Sequence, residues 1–252
     1  MGGRGASNTQ GSRNMPVKLA AQMPQKPQKP KTAADMTDIS ELRTYAKNTL
    51  GIKLASTLDN ADYGLVQQAV ADYEFFKAEF PQWDVMTGIR MKSMSSSTNA
   101  STDGEIINLS TWYQQPNAFA QRVANATARG YYPEGTTSKT TAVHEMGHTF
   151  EQALINKYMP NTGSYLDVWN RTDAWNRHIY SKKLISEAAK AAKKTPDGKG
   201  KKNSELISQV SRYATTSSAE TLAECVRDYY INRGNAKPLS REVWNILKKE
   251  FG

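Results

Sequence analysis

The sequence predicts an α+β fold, with helices first, a short strand region next, and a mostly helical remainder. Three patterns carry this reading. Apolar residues recur at helical spacing before Pro81, the period falls to two between Trp83 and Met91, and helical spacing returns from Pro116 onward. Strands and helices do not alternate along the chain, so a parallel βαβ architecture is not indicated.

Residues 1–35 are mostly Gly, Ser, Asn, Gln, Pro and Lys, including Gln25-Lys26-Pro27-Gln28-Lys29-Pro30. Such chain buries too little apolar surface to offset its ordering entropy, and reads as a disordered basic arm. Residues 36–252 read as one domain. Its first helix starts near Thr37 or Asp38 and carries Ile39, Leu42 and Tyr45 on one face. A second runs from Asn60 or Asp62 to Pro81, with Leu65, Ala69, Tyr73, Phe76 and Phe80 at helical spacing. Alternation over residues 83–91 predicts a half-buried strand, and the Ser/Thr/Asn/Gly-rich residues 93–104 predict a loop. Residues 105–110 read as a second strand. Helices follow over 116–129, stopped by Gly130, and from Thr137 or Ser138 to about Tyr158. Further helices are expected at 172–192, 204–212, 217–232 and 240–250. Between them, residues 193–203, with Thr195-Pro196-Asp197-Gly198, read as a mobile basic loop.

A chain of 252 residues, 38% apolar with five tryptophans, is long enough for one sizeable core. The low mean hydropathy of -0.67 implies solvated segments beside it. The net charge of +9 is uneven. Arg4, Arg13, Lys18, Lys26, Lys29 and Lys31 crowd the arm, and Lys190, Lys193, Lys194, Lys199, Lys201 and Lys202 form a second cluster. Such blocks are mainly solvated chain, with a weak, screened attraction to nucleic acid or acidic surfaces. Neither has the interleaved aromatics of a base-stacking surface. Cys225 is the single cysteine, which excludes an intrachain disulfide and a cysteine-built zinc site. No 18-residue apolar run and no signal-peptide core is present, so neither a membrane span nor secretion is expected.

The chemistry is concentrated in His144-Glu145-Met146-Gly147-His148. Residues four apart share a helix face, so both imidazoles can reach one metal ion. Two imidazoles leave room for a third protein ligand and a water, and Glu145 stands where it can accept a proton from that water. The uncharged flanks Thr141, Ala142, Val143, Thr149 and Phe150 suit a buried helix.

A third ligand is required. The residues after His148, Thr149-Phe150-Glu151-Gln152, lack the glycine and histidine of the metzincin extension. His178, beside Trp175 and Ile179, reads as a packing or surface histidine. Glu220 is the better candidate: Glu220 and Glu224 interrupt an otherwise apolar helix face of Leu222, Ala223, Val226, Tyr229 and Tyr230. Acids on such a face are costly unless paired, and a metal supplies the pairing. Glu224, one turn on, either accepts a hydrogen bond from a ligand histidine or lies at a solvated edge beside Arg227.

Together, His144-Glu145-Met146-Gly147-His148, Tyr213 and Glu220-Thr221-Leu222-Ala223-Glu224 resemble the catalytic domain of the anthrax lethal factor family of gluzincin metallopeptidases. There, too, a tyrosine precedes the third zinc ligand by seven residues. The resemblance spans roughly residues 83–232 and is specific only around the two helices. It implies a zincin-like fold with a small sheet over the active-site helix, Zn2+ held by His144, His148 and Glu220, and Tyr213 donating to a developing oxyanion. It also implies that residues 105–109 form the edge strand that pairs with substrate. The large delivery domains of lethal factor are missing, so toxin biology is not implied. The opening Met1-Gly2-Gly3-Arg4-Gly5-Ala6-Ser7 is similar to the starts of phage and prophage head-region proteins.

Two functional readings follow. One is a zinc peptidase acting on a protein or peptide substrate, with Glu145 as base. The other is a phage structural or cargo protein with a structural zinc site and an arm that binds nucleic acid or capsid. A structural site would tolerate loss of Glu145, so its presence favours the enzyme. The expected location is the host cytoplasm or the virion.

Overall fold

A computed structural model describes residues 31–252; the expectation of a disordered arm over residues 1–30 lies outside the described residues. The ordered domain begins earlier than composition suggests. Residues 33–35 form a 3-10 turn, Ala33 is fully buried, and its N–H donates to Glu74 Oε2 at 2.9 Å.

The fold is α+β, with a small mixed sheet and nine α-helices among the described residues. Helix α1 (Ile39–Tyr45) starts at Asp38, whose carboxylate accepts the N–H groups of Ser40 and Glu41. After a π-turn over Ala46–Leu50 comes β1 (Lys53–Leu54). Helix α2 (Tyr63–Glu79) is capped by Asp62. The strands that follow are β2 (Gly88–Met91), β3 (Ala100–Thr102) and β4 (Ile106–Leu109). Then come α3 (Pro116–Ala128) and α4 (Thr141–Tyr158). The C-terminal part holds α5 (Tyr165–Asn176), α6 (Ile179–Ala192), α7 (Asn203–Val210), α8 (Ser218–Asn232) and α9 (Pro238–Phe251). No helix among the described residues is long and apolar enough to cross a membrane.

The sheet order is β1-β2-β4-β3, parallel except for the antiparallel β3–β4 pair. This corrects the expected edge. Strand β4 pairs on both sides, with β2 and with β3, so residues 106–109 cannot accept a further strand. The edge beside α4 is β3, inside the stretch expected to be a loop. Phe76, Phe80, Trp83, Phe150 and Trp244 form an aromatic cluster, and Trp83 Nε1 donates to Thr149 Oγ1 at 3.1 Å. Trp83 and Val85 are thus buried as expected, although strand pairing starts only at Gly88.

The helix expected over 172–192 is broken at His178, which takes φ 50°. The break turns the start of α6 onto Glu151, whose carboxylate accepts the N–H groups of Tyr180 (3.0 Å) and Ser181 (2.5 Å) and the Ser181 hydroxyl. A carboxylate there is favoured by the partial positive charge of the helix start. Residues 193–202 are turns rather than free loop, tied to α9 where Arg241 Nη2 meets Asp197 Oδ2 at 2.7 Å.

One buried acid belongs to the fold. Asp72 is fully buried on α2 and accepts from the Tyr230 hydroxyl (2.8 Å) and Gln68 Nε2 (2.7 Å), with no cation opposite among the described residues. Burial raises its pKa from 3.8 to about 7, against these two hydrogen bonds. Because the folded value lies above the unfolded one, stability falls as pH rises from about 4 to about 7 and is flat above. Asp72→Asn should therefore raise the melting temperature by several degrees at pH 8 and leave it nearly unchanged at pH 4, measured by thermal unfolding at both.

Candidate metal centre

Helices α4 and α8 pack against each other, and the site forms where they touch. A Cβ built on Gly147 would lie 2.6 Å from Ala223 Cα and 3.2 Å from its Cβ, so the crossing tolerates no side chain on α4. Gly147 lies between His144 and His148, and Ala223 between Glu220 and Glu224. The smallest residues are at the crossing and the polar ones flank it.

His144 Nε2 lies 3.0 Å from Glu220 Oε2, and His148 Nε2 lies 3.4 Å from the same oxygen. The two Nε2 atoms are 3.1 Å apart. All three ligand atoms fall within 4.8 Å of one another, a group that could hold a metal ion. The donor set fits. Two lone-pair nitrogens at this separation repel unless a cation or proton lies between them, and the buried Glu220 Oε2 faces both of them. Ser217 caps α8, its hydroxyl accepting the Glu220 N–H at 3.1 Å, which fixes where the carboxylate starts.

Glu224 is fully buried, so the alternative of a solvated edge does not hold. Its Oε1 lies 2.6 Å from His144 Nδ1 and receives Arg227 Nη2, while Oε2 accepts the Ser211 hydroxyl at 2.9 Å. This arrangement directs the proton of His144 to Nδ1 and leaves Nε2 as the free donor. Burial works against ionisation of Glu220 and Glu224, yet the histidines facing Glu220, and Arg227 with His144 facing Glu224, hold both below the usual carboxylate range. Burial likewise opposes charge on His144, but the two carboxylates outweigh it and raise its pKa to about 9. Without a metal, a proton takes the cation's place.

Glu145 is buried beside this group, and its burial raises its pKa. The Tyr213 ring stacks on His144 with centroids 5.5 Å apart, and on Tyr131 at 5.1 Å. Burial, followed by the charge of Glu220, pushes the Tyr213 hydroxyl up, so it stays protonated as a donor. Two clefts meet here. One of about 510 Å³ and one of about 350 Å³ share Thr98, Ala100, His144, Glu145 and Tyr213. Ala100, the first residue of edge strand β3, is part of the shared wall.

The structure thus brings together His144, Glu145, His148, Tyr213, Glu220 and Glu224. His178 lies apart from the three ligand atoms but lines the smaller cleft with Glu151. Cys225 is buried, and burial pushes its thiol up. Sequence reasoning missed Ser211 and the Gly147–Ala223 crossing, although a small residue between each pair of polar ones was a signal for the latter. No protein-family profile, curated protein or solved structure matches this chain.

Gly147→Ala should wedge α4 from α8. The expected loss is about 1–3 kcal/mol of stability by chemical denaturation, with weaker metal binding by titration, although alanine is the better helix former.

Proposed function

We propose that this chain is a zinc-dependent peptidase of the gluzincin type. One observation carries the reading. A buried carboxylate that ligates nothing, Glu145, adjoins a His/His/Glu group at the junction of two clefts walled by an open sheet edge. A structural metal site needs the three ligands but has no use for such a group. The small sheet, the active-site helix below it and the antiparallel edge strand suit a zincin-like arrangement, with β3 in the role that the family resemblance gave to residues 105–109.

A zinc ion held by His144, His148 and Glu220 would polarise the scissile carbonyl and acidify a water. The protein's own groups do the rest. Glu145, its pKa raised by burial, takes a proton from the attacking water and returns it to the leaving amine. The Tyr213 hydroxyl donates to the oxygen that gains charge. Glu224, steadied by Arg227 and Ser211, keeps His144 in one tautomer and orientation. The unpaired edge of β3 would align an extended substrate through backbone hydrogen bonds.

Elemental analysis of purified protein should find one zinc per chain. Glu145→Gln should keep the metal and lose turnover of an unfolded protein substrate by at least about a hundredfold. Glu220→Gln should weaken metal binding. Loss of zinc from Glu145→Gln, or full activity in it, would overturn these roles.

Loading should also be linked to protons. His144, with a pKa of about 9 in the metal-free chain, is protonated at pH 7.5 and must become neutral to bind. Calorimetry in buffers of different ionisation enthalpy should show about one proton released at pH 7.5, and affinity should rise with pH up to about 9.

A further inference from the structure

The two clefts that meet at Glu145 differ in charge. The smaller one is lined by Glu145, Glu151 and Glu220 and, among the described residues, by no lysine or arginine. The larger one is lined by Arg122, Arg129, Arg212 and Arg227, and Glu145 is its single acid among the described residues. Arg122 is fixed as a wall by donating to Asn99 Oδ1 (2.9 Å) and Ser97 O (2.8 Å), two neutral acceptors that leave its charge uncompensated. Arg129 and Arg212 are exposed and make no ion pair among the described residues.

Arg227 is the internal member. Its side chain is only 3% exposed, its guanidinium lies 4.5 Å over the Tyr132 ring, and one nitrogen pairs with Glu224. Its Nε is buried with no partner. Thr141 Oγ1, on the same cleft and in a residue 3% exposed, has none either. Four guanidinium groups around the cavity against one carboxylate leave an excess of cationic donors, and Arg227 Nε and Thr141 Oγ1 are buried within its lining residues without partners. Anionic oxygens match that excess of positive charge better than neutral acceptors do, and a cationic group opposes it.

We propose that the 510 Å³ cleft is a subsite for a carboxylate, and that the peptide bound along β3 carries an acidic group on that side of Glu145. The proposal rests on the peptidase reading for its polymer and on the arginines for its charge. The carboxylate has two sources, an Asp or Glu side chain or the free end of a peptide. Guanidinium recognition is the same for both, with paired N–H donors meeting two oxygens.

The test uses calorimetry on the zinc-supplied full chain carrying Glu145→Gln, so that bound peptide is not consumed. Three matched seven-residue peptides serve as probes. One is blocked at both ends with a central Glu, one is the same with Gln, and one is the Gln peptide with a free C-terminal carboxylate. One of the two carboxylate peptides should bind at least about tenfold tighter than the blocked Gln peptide. Which one does so identifies the source. In the double variant Arg129→Gln/Arg212→Gln, whose changes are at exposed positions, the gap should shrink to less than about threefold. Equal binding of all three peptides, no binding by a chain with native circular dichroism, or a gap indifferent to the double variant would each overturn the proposal. Cleavage by the unmodified zinc-supplied chain is scored separately. Carboxylate preference without cleavage would refute the peptidase and keep the anion subsite, whereas cleavage with no charge preference would refute only the subsite.

Discussion

Helices α4 and α8 can approach as closely as they do because Gly147 has no side chain where it meets Ala223. From that contact the positions of the polar groups follow. His144 and His148 lie one helical turn apart around the glycine, and Glu220 and Glu224 one turn apart around the alanine. Two pairs spaced alike on crossing helices face each other with no adjustment of backbone, so short side chains suffice to close the group. The aromatic cluster holds α4 through Phe150 and the Trp83–Thr149 hydrogen bond, and α9 backs α8. The sheet contributes walls rather than ligands.

Burial acts on three carboxylates of this core with different results, and the neighbours decide each. Asp72 faces only the neutral donors of Gln68 and Tyr230, and desolvation prevails. Glu224 is equally buried but has Arg227 and His144 against it, and remains ionised. Glu145 lies between these cases, close to two imidazoles but also to the charge of Glu220. The neighbourhood therefore gives one helix pair both a carboxylate held ionised and a carboxyl whose pKa burial raises, two groups suited to different proton roles.

Much of this was legible in the sequence where the signal is local. Asp38 and Asp62 act as caps where their position before an apolar period placed them. Glu220 and Glu224 stood out because two acids on an apolar face need partners, and both have them. The sheet was less legible. Strands β1 and β3 have two and three residues, too few for an alternation to register, although Asp103-Gly104 with Gly104 at φ 99° was an available hairpin signal. Which strand forms the edge depends on pairing between distant segments, which no local pattern records. The break at His178 was hidden for the same reason, since it follows from Glu151 capping α6 across space.

The members of the candidate metal group come from stretches of chain far apart in sequence, the two histidines on α4 and Glu220 on α8. During synthesis the imidazoles therefore leave the ribosome well before Glu220 and Glu224, and α9 follows these in turn. Until α8 has docked on α4 there is no third ligand, no anchor for His144 and no closed cleft. A chain halted before α8 would thus lack the complete group, which arrives only with the α4–α8 contact.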